Sequence, residues 1–532
     1  MLRLRKTILL LVFLMVIVVM YSPSINARFV FDFIDWHNTY SKMGIKGLFS
    51  SFNDPSLHYG YHLVFFSFVN CFGQNQYLWF FAFCGLHATN TWLLYLWINR
   101  LTTAYNFKQS SIIAFLSALL FTLSPFHTEV IVWGATVHYL VATTLSLIIL
   151  LLTTKSPNRI KSMLIVLLFG VSLFVHEFTL TLPFIILLLS FMSIKSIPLF
   201  RNYIQTFFVP FCTVIIGYFL LNKWLLGQWI GHYGAETHLS FNLHELSIAL
   251  LRYLAKYLVF APFVPAPITT WLYSYNQPVL ILSGLLIFIL CVYYFVVPIR
   301  NKILLGIALT GAYVIAITPS LNLYFPYWVN IHADRLGYFP SLFLYGFIGI
   351  FSYLIAKQYS KYLLTGLLFF SFFTLSKNIV SWQNASTIIQ RLEQSYPVDS
   401  TVNTYLLNVP DNFDGAYMFR CLGESKFATT YKLHQHTDLS PYVIDVLGYN
   451  MYNMTDGASA SVIDSVTLEV TLTNPKGWYW RYTLGAESYE TEAYIVELNT
   501  QKNSYRFHLK NKQPTDRFLL QNGPEWQILN AF

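Results

Sequence analysis

Long apolar runs separated by short polar segments fill most of the first 380 residues. About eleven of these runs approach or reach the roughly 17–25 residues that a helix needs to cross a bilayer. They cover residues 7–22, 77–98, 110–125, 130–152, 160–175, 178–194, 203–221, 279–298, 302–319, 337–356 and 361–378. The pattern predicts a polytopic α-helical membrane domain over residues 1–380.

Beyond residue 380 the long apolar runs stop and short alternating segments begin. We expect a linker over residues 381–394 and a small, mostly-β domain over residues 395–532. The stretch SVIDSVTLEVTLTN alternates apolar and polar residues as a strand does. WYWRYTLGA, AYIVELNT and SYRFHLKN follow it, with turn residues between them.

Composition agrees with a membrane protein. Of the 532 residues, 55% are hydrophobic and 11% are charged, against about 25% charged in a soluble domain. The start, MLRLRKTILLLVFLMVIVVMY, also resembles a signal peptide. Cleavage near Ala27 is one alternative, and we favour an uncleaved first span. The five cysteines form no CxxC, zinc or disulfide pattern, which argues against redox chemistry.

Charge distribution indicates topology rather than a nucleic-acid partner. Residues 1–380 hold 22 Lys/Arg and 8 Asp/Glu, whereas residues 381–532 hold 11 and 16. With the N-terminus cytoplasmic, the inner loops are basic and contain no acid. All eight acids of the membrane half then fall outside: Asp32, Asp35, Asp54, Glu129, Glu177, Glu236, Glu245 and Asp334. We expect outward-facing chemistry and an extracytoplasmic C-terminal domain, in a bacterial inner membrane.

Asp32 and Asp35, in FVFDFIDWHNTY, follow the first apolar run directly. A carboxylate at a membrane surface loses hydration, so its pKa rises and it becomes a candidate general base. The structural alternative is a solvated loop residue and a helix cap.

Two His–acid segments lie between predicted spans. LSPFHTEVIVWG carries His127 and Glu129, and LFVHEFTLTLPF carries His176 and Glu177. Ionisable residues at such depths are candidates for function, with local pairing or helix capping as the alternative. No HExxH is present, since Leu180 stands four residues after His176.

Cationic candidates lie in two further outer segments. PYWVNIHADRLGYFPS carries His332, Asp334 and Arg335, and a guanidinium there suits a phosphate. The alternative is a snorkelling Arg335 paired with Asp334. NKWLLGQWIGHYGAETHL, with Lys223, is either a segment that closes over substrate or an ordinary loop.

A helix with polar residues on one face is expected from Glu245 onward. Glu245, Arg252 and Lys256 share one face at spacings of seven and four. The pattern predicts a helix that lies in the membrane interface.

These motifs, in this order, resemble the GT-C glycosyltransferases over most of residues 20–390. SPFHTEVIVWG is similar to the His-Thr-Glu segment of the transmembrane and tetratricopeptide-repeat O-mannosyltransferases. VHEFTLTLPFIILLL and HADRLGYFPS are similar to their Lys-Glu and Asp/Glu-Arg-Tyr segments. The departures are a split acidic pair, His176 in place of the Lys, and no tetratricopeptide tail.

The resemblance implies transfer of mannose or another hexose from a polyprenyl-phosphate donor to a protein Ser/Thr or glycan hydroxyl, with inversion. Asp35, or else Asp32, would be the base, and Arg335 with His332 or Lys223 would bind the phosphate. His127, Glu129, His176, Glu177 and Asp334 would orient sugar or acceptor. No cofactor is certain, since two acids could hold a divalent metal but a cation can replace it. The competing classes are a lipid-linked substrate transporter or flippase, and a non-enzymatic assembly protein that displays a β binding domain.

Overall fold

The chain forms two compact units. The computed structural model describes residues 2–48, 59–154, 159–193, 197–227, 229, 242–264, 268, 300–323, 334–399, 401–419, 425–480 and 486–529. The first unit comprises Met1–Ser22 and Met43–Ser376, and the second comprises Pro23–Lys42 and Lys377–Phe532. The segment Pro23–Lys42, which carries both candidate aspartates, therefore groups with the C-terminal residues rather than with the membrane domain in which the sequence placed it.

The helices of the first unit follow the apolar runs. They are α1 (Leu2–Tyr21), α3 (Tyr59–Phe72), α4 (Gln76–Ala104), α5 (Ser110–Thr122), α6 (Thr128–Val132), α7 (Val137–Thr153), α8 (Arg159–Val175), α9 (Leu182–Ser193), α10 (Ile197–Tyr203), α11 (Val209–Leu226), α12 (Leu243–Tyr257), α13 (Arg300–Ile317) and α14 (Ser341–Ala356). A longer helix, α15 (Ser360–Ser395), contains the boundary between the units. The predicted run 279–298 lies outside the described residues.

Several of these helices are long and apolar enough to span a membrane. Among the described residues, five helices meet this criterion by length and composition, or six if the bent pair Ser110–Thr122 and Pro125–Val132 is one span. Two shorter apolar helices, Ile160–Val175 and Glu177–Phe191, come from other predicted runs. The apolar helices indicate a membrane protein, and the expected total of about eleven spans stays a prediction.

The core of the first unit is built around α4. This helix packs against α1, α5 and α7, while α13 packs against α9 and α14. Trp97 of α4 is fully buried, with its ring 5.7 Å from that of Phe343. Gly346 of α14 lets this helix approach α4, because an added Cβ would lie 2.7 Å from Ile98 Cδ1.

The second unit contains α2 (Asp32–Met43), α16 (Lys426–Gln435) and thirteen described strands. The strands are β1 (Thr404–Leu406), β2 (Val409–Phe413), β3 (Ala416–Tyr417), β4 (Val443–Asp445), β5 (Gly448–Met451), β6 (Ala458–Asp464), β7 (Thr467–Leu472), β8 (Trp478–Tyr479), β9 (Ser488–Glu490), β10 (Tyr494–Asn499), β11 (Ser504–Leu509), β12 (Arg517–Asn522) and β13 (Glu525–Ile528). The prediction of a mostly-β C-terminal region is confirmed.

Three sheets organise these strands. Their orders are β13-β12-β1-β4, β6-β7-β11-β10-β9 and β3-β2-β5-β8. The stretch SVIDSVTLEVTLTN, expected as one strand, forms most of the antiparallel pair β6–β7. The side chain of Asp464 accepts a hydrogen bond from Val466 N at 2.8 Å, and this local bond makes the turn between the two strands.

Residues 381–394, which the sequence suggested as a linker, are helical. They lie in the C-terminal part of α15, which ends at Ser395. Ile388, Ile389 and Leu392 are buried there. Within the second unit Arg28 N donates to Ser386 Oγ at 3.1 Å, so the segment after α1 is anchored on this part of α15.

Candidate functional site

Four charged side chains converge in the first unit around a single turn of 3₁₀-helix, Asp334–Gly337. Glu129 comes from α6, Lys256 from the end of α12, and Asp334 and Arg335 from the turn itself. The turn packs against α6 and against the 3₁₀ turn Pro125–His127. We call these four residues the charge cluster.

The Glu129 carboxylate binds both the side chain and the backbone N–H of Arg335. The Arg335 guanidinium forms an ion pair with Glu129 Oε1, and Arg335 N donates to Glu129 Oε2 at 3.2 Å. The side chain of Arg335 is 13% exposed and that of Glu129 is 6% exposed. The guanidinium carbon lies 5.4 Å from the centre of the Trp133 ring, a cation–π distance. Arg335 is therefore buried and pairs with Glu129. The alternative, a snorkelling Arg335 paired with Asp334, is not observed.

Asp334 instead pairs with Lys256. Lys256 Nζ lies 2.6 Å from Asp334 Oδ1, and the lysine side chain is 2% exposed. Burial raises the pKa of Asp334 to about 6, while the Lys256 ammonium opposes that rise. Lys256 thus belongs to a buried ion pair and not to the interfacial face expected from its spacing with Glu245 and Arg252.

The turn and α12 fit closely together. A Cβ on Gly337 would overlap the ring of Tyr257, the residue that follows Lys256. The Tyr257 hydroxyl reaches Asp334 O at 3.5 Å. Glycine at position 337 therefore lets the loop that carries Arg335 lie directly on the end of α12.

A buried polar network fixes the C-terminal side of the turn. The Tyr338 hydroxyl lies 2.7 Å from His87 Nδ1 and accepts from Asn90 Nδ2 at 3.2 Å. His127 Nε2 lies 2.9 Å from Ser341 Oγ, and this histidine is fully buried. His127 therefore contacts the segment that follows the turn. It precedes Glu129 by two residues, but only Glu129 is a member of the charge cluster.

His176 and Glu177 lie at the start of another 3₁₀ turn, Glu177–Thr181. His176 Nδ1 accepts from Phe178 N at 3.2 Å, so this side chain caps its own turn. The Tyr218 hydroxyl donates to Glu177 Oε1 at 3.5 Å. Phe178 stacks on Phe339 at 4.5 Å, which places this turn beside the segment that carries Arg335.

The two other proposed phosphate ligands are not part of the charge cluster. Lys223 is exposed and donates to Gly227 O at 2.5 Å, at the C-terminal end of its own helix α11. The described contacts thus give Lys223 a helix-capping position. His332 lies outside the described residues.

Asp32 and Asp35 belong to the second unit, in the first turn of α2. Carboxylates are favourable there because the helix dipole is positive at its N-terminus. Burial raises the pKa of Asp35 to about 6. Within the described part of the chain its carboxylate has no ion pair or hydrogen bond, and only its backbone oxygen accepts, from Thr39 Oγ1 at 2.8 Å. A carboxylate with a raised pKa is a stronger proton acceptor than an ordinary aspartate.

Comparisons with known proteins do not assign a family. No family model matches the chain, and no curated protein matches it. Among solved structures, the crystal structure of ArnT from Cupriavidus metallidurans bound to undecaprenyl phosphate matches with a TM-score of 0.43 and 11% identity, over 83% of this chain and 92% of that chain. A TM-score this low does not establish a shared fold.

The charge cluster pairs each of two buried cations, Lys256 and Arg335, with a carboxylate. Removing four charges from water costs more than two ion pairs usually return, so apolar residues would serve stability as well. Buried cations of this kind can also bind a phosphate, which accepts charge-assisted hydrogen bonds as a carboxylate does. Among the described residues, no three His, Cys, Asp or Glu side chains are grouped as metal ligands.

The sequence alone missed Lys256 as a member of the site. The signal available was a lysine within YLAKYLVF, an otherwise apolar end of a helix. A lysine among apolar residues needs either a route to water or a buried partner. The sequence did not show which, because the partner, Asp334, lies 78 positions further along the chain.

Proposed function

We propose that this chain is a GT-C-type glycosyltransferase. It transfers a sugar from a polyprenyl-phosphate donor to a hydroxyl acceptor at the extracytoplasmic face of a bacterial inner membrane. The observation that carries this proposal is the charge cluster, in which two buried cations lie in a unit made mainly of apolar helices. The order of the motifs along the sequence supports the same class.

Arg335 and Lys256 bind the phosphate of the donor. Each cation is already desolvated and held by a carboxylate, Glu129 or Asp334. A donor phosphate takes over part of these contacts, so binding requires little further desolvation. Arg335 can also engage two phosphate oxygens at once, which a lysine cannot do.

Transfer proceeds by direct displacement at the anomeric carbon. The acceptor oxygen forms the new bond to that carbon as the bond to the phosphate oxygen breaks, which inverts the configuration. A base takes the acceptor proton, and the electron pair leaves with the polyprenyl phosphate. Arg335 and Lys256 stabilise the charge that develops on this leaving group.

Asp35 is the residue we propose as the base, with Asp32 as the alternative. A carboxylate with a pKa of about 6 is deprotonated at neutral pH and is a stronger base than an ordinary aspartate. Glu129, Glu177 and Asp334 are proposed to orient sugar or acceptor hydroxyls, with His127 and His176 in supporting positions. A hexose such as mannose as the sugar, and protein Ser/Thr or a glycan as the acceptor, complete the proposal.

The test compares donor binding and sugar transfer in purified full-length protein in lipid nanodiscs. A panel of polyprenyl-phosphate sugars is offered to wild type, Arg335→Gln and Arg391→Gln. Arg391 is exposed on α15 and is the matched control. We expect Arg335→Gln to lose about 100-fold or more in transfer, the usual cost of removing one donor that stabilises developing charge, while Arg391→Gln stays at the wild-type level.

Two results would overturn the proposal. Equal transfer by Arg335→Gln and wild type would remove the phosphate-binding role from the charge cluster. Wild-type protein that moves a lipid-linked sugar across the bilayer without cleaving it would favour the transporter class instead.

A further inference from the structure

An apolar groove runs along the first unit between α8 and the helical stretch from α10 to α11. Its volume is about 940 Å³. On α8 it is lined at helical spacing by Met163, Leu167 and Phe174, of which Met163 and Leu167 are largely exposed. The groove therefore opens to the surroundings of the apolar helices, where lipid chains are the solvent.

Two backbone features shape the groove. Gly170 lies on its α8 wall without a side chain, and an added Cβ would be 3.8 Å from Val214 Cγ1 on the opposite wall. The opposite wall contains a π-helical turn, Ile204–Phe208, followed by Pro210. Pro210 has no N–H, so a backbone carbonyl of the preceding turn loses its usual helical donor. π-helical turns of this kind occur frequently at functional sites.

One end of the groove is polar. Ser162 of α8, Asn202 of α10 and Thr206 of the π-helical turn line that end. Lys161 and Arg201 directly precede two of these lining residues in the sequence. The helical residues 159–162 and 197–203 together contain three Lys/Arg, namely Arg159, Lys161 and Arg201, and no acid. An apolar groove with a polar and basic end has the charge pattern of a lipid with an anionic headgroup.

We propose that this groove binds an anionic phospholipid of the surrounding bilayer. The headgroup phosphate lies at Lys161, Arg201 and the polar lining, and one acyl chain lies along Leu167, Gly170 and Phe174. From Ser162 to Phe174 the wall rises by twelve residues, or about 18 Å at 1.5 Å per residue. That length is close to the depth of one leaflet, about half of the 30 Å hydrocarbon core. A single-leaflet lipid fits this length better than a much longer polyprenyl chain.

This lipid site is independent of the proposed sugar transfer. None of its residues belongs to the charge cluster, and the readout of its test is lipid binding rather than catalysis. Failure of the lipid site would leave the glycosyltransferase proposal unchanged, and the converse also holds.

The experiment measures how tightly full-length protein retains phosphatidylglycerol. Protein in phosphatidylcholine nanodiscs is titrated with phosphatidylglycerol, and bound lipid is counted by native mass spectrometry. We expect Lys161→Gln/Arg201→Gln to weaken phosphatidylglycerol binding about 30-fold, because each cation near an anionic surface contributes about 1 kcal/mol and 1.4 kcal/mol is a factor of ten. Gly170→Leu should fill the groove and reduce retention in the same assay.

Matched controls come from α15 and the turn before it. Lys357→Gln/Lys361→Gln removes two cations elsewhere, and Gly366→Leu adds a side chain where an added Cβ meets nothing within 4 Å. Both controls should retain phosphatidylglycerol as wild type does. Equal retention by all variants, or equal binding of phosphatidylcholine and phosphatidylglycerol, would overturn the proposal. Preferential displacement of phosphatidylglycerol by undecaprenyl phosphate would also overturn it, since the occupant would then be the donor lipid.

Discussion

Asp334 in the first unit and Asp35 in the second unit are both carboxyls whose pKa burial raises to about 6. Their surroundings differ. Asp334 contacts the Lys256 ammonium at 2.6 Å and lies beside the Glu129–Arg335 pair. Among the described residues the Asp35 carboxylate contacts no cation and accepts no hydrogen bond. The same pKa therefore arises with an opposing cation in one unit and from burial alone in the other.

The roles proposed for the two carboxylates differ in the same way. A paired carboxylate holds a cation in position and gives up that contact when a competing anion arrives. An unpaired carboxylate with a raised pKa is free to take a proton from an acceptor hydroxyl. If the two roles divide in this way, substitution of the residue on which the reaction itself would depend should have the largest effect.

Asp35→Asn should have the largest effect on transfer. Removing a general base lowers the rate by about 100-fold to 10,000-fold, while donor binding should persist because the charge cluster is intact. In wild type the rate should rise with pH through about 6, as Asp35 loses its proton, and then level off. Measurements of kcat against pH, with donor affinity in parallel, check both statements.

Asp32→Asn is the matched control for the base, since Asp32 lies one turn earlier on the same helix, α2. Loss of transfer in Asp32→Asn alone would assign the base to Asp32. Full activity of both variants at every pH would make both residues helix-terminal acids and end the division of roles.

Lys256→Met should be the most destabilising change in the charge cluster. It leaves Asp334 buried without its cation, and breaking a buried pair in this way costs about 3–5 kcal/mol. The double variant Lys256→Met/Asp334→Leu should recover most of that stability, because no charge is then left unpaired. Thermal unfolding in nanodiscs measures both variants, with Lys361→Met, an exposed lysine of α15, as the control.

The double variant also separates structure from function. A recovered unfolding temperature together with lost donor binding would show that the Lys256–Asp334 pair serves the substrate. Recovered stability with normal donor binding would show that this pair only joins α12 to the turn Asp334–Gly337.

The apolar pattern predicted the helices of the first unit well, because a run of apolar residues is a local property of the sequence. Every predicted run within the described ranges overlaps a helix. Ion-pair partners could not be predicted in the same way. Glu129 and Arg335 are 206 positions apart, and sequence proximity favoured Asp334 as the partner of Arg335. Long-range packing also decided that Pro23–Lys42 groups with the C-terminal residues, through contacts such as Arg28 N to Ser386 Oγ.

The structure brings some of the candidate residues together and leaves others apart. Glu129, Asp334 and Arg335 were singled out because charges are rare in such a chain, and the structure brings these three together. Lys223 was singled out on the same ground, yet it caps the end of its own helix. Composition shows that a charged residue in an apolar chain must have a partner or a route to water. Only the fold shows which partner it has.

Gly337→Ala should disturb the charge cluster without changing any charge. The added Cβ would overlap the Tyr257 ring, and overpacking of this kind costs about 1–3 kcal/mol. Because the turn Asp334–Gly337 would shift, donor affinity should fall together with stability. Gly306→Ala is the control, since its Cβ would meet Phe347 at an ordinary 4.0 Å. Unchanged donor affinity in Gly337→Ala would mean that the turn need not lie against α12.

Lys432→Met, in the second unit, should have the smallest effect on stability. It is therefore the reference against which the loss of stability in Lys256→Met is compared. Lys432 pairs with Asp438, but their side chains are 41% and 47% exposed. The Lys432 contact, with help from Ser440, lowers the pKa of Asp438 to about 2. A lowered carboxyl pKa contributes stability above about pH 4, and that contribution disappears as the pH falls toward 2.

Solvent screens such a pair, so its loss should cost less than about 1 kcal/mol at neutral pH. Hydrogen exchange over residues 426–440 in the full-length protein is the sensitive measurement, because it reports this part of the second unit directly. A protection loss as large as that caused around α12 by Lys256→Met would show that exposure does not decide the value of an ion pair in this protein. The buried Lys256–Asp334 pair and the exposed Lys432–Asp438 pair would then contribute equally to stability.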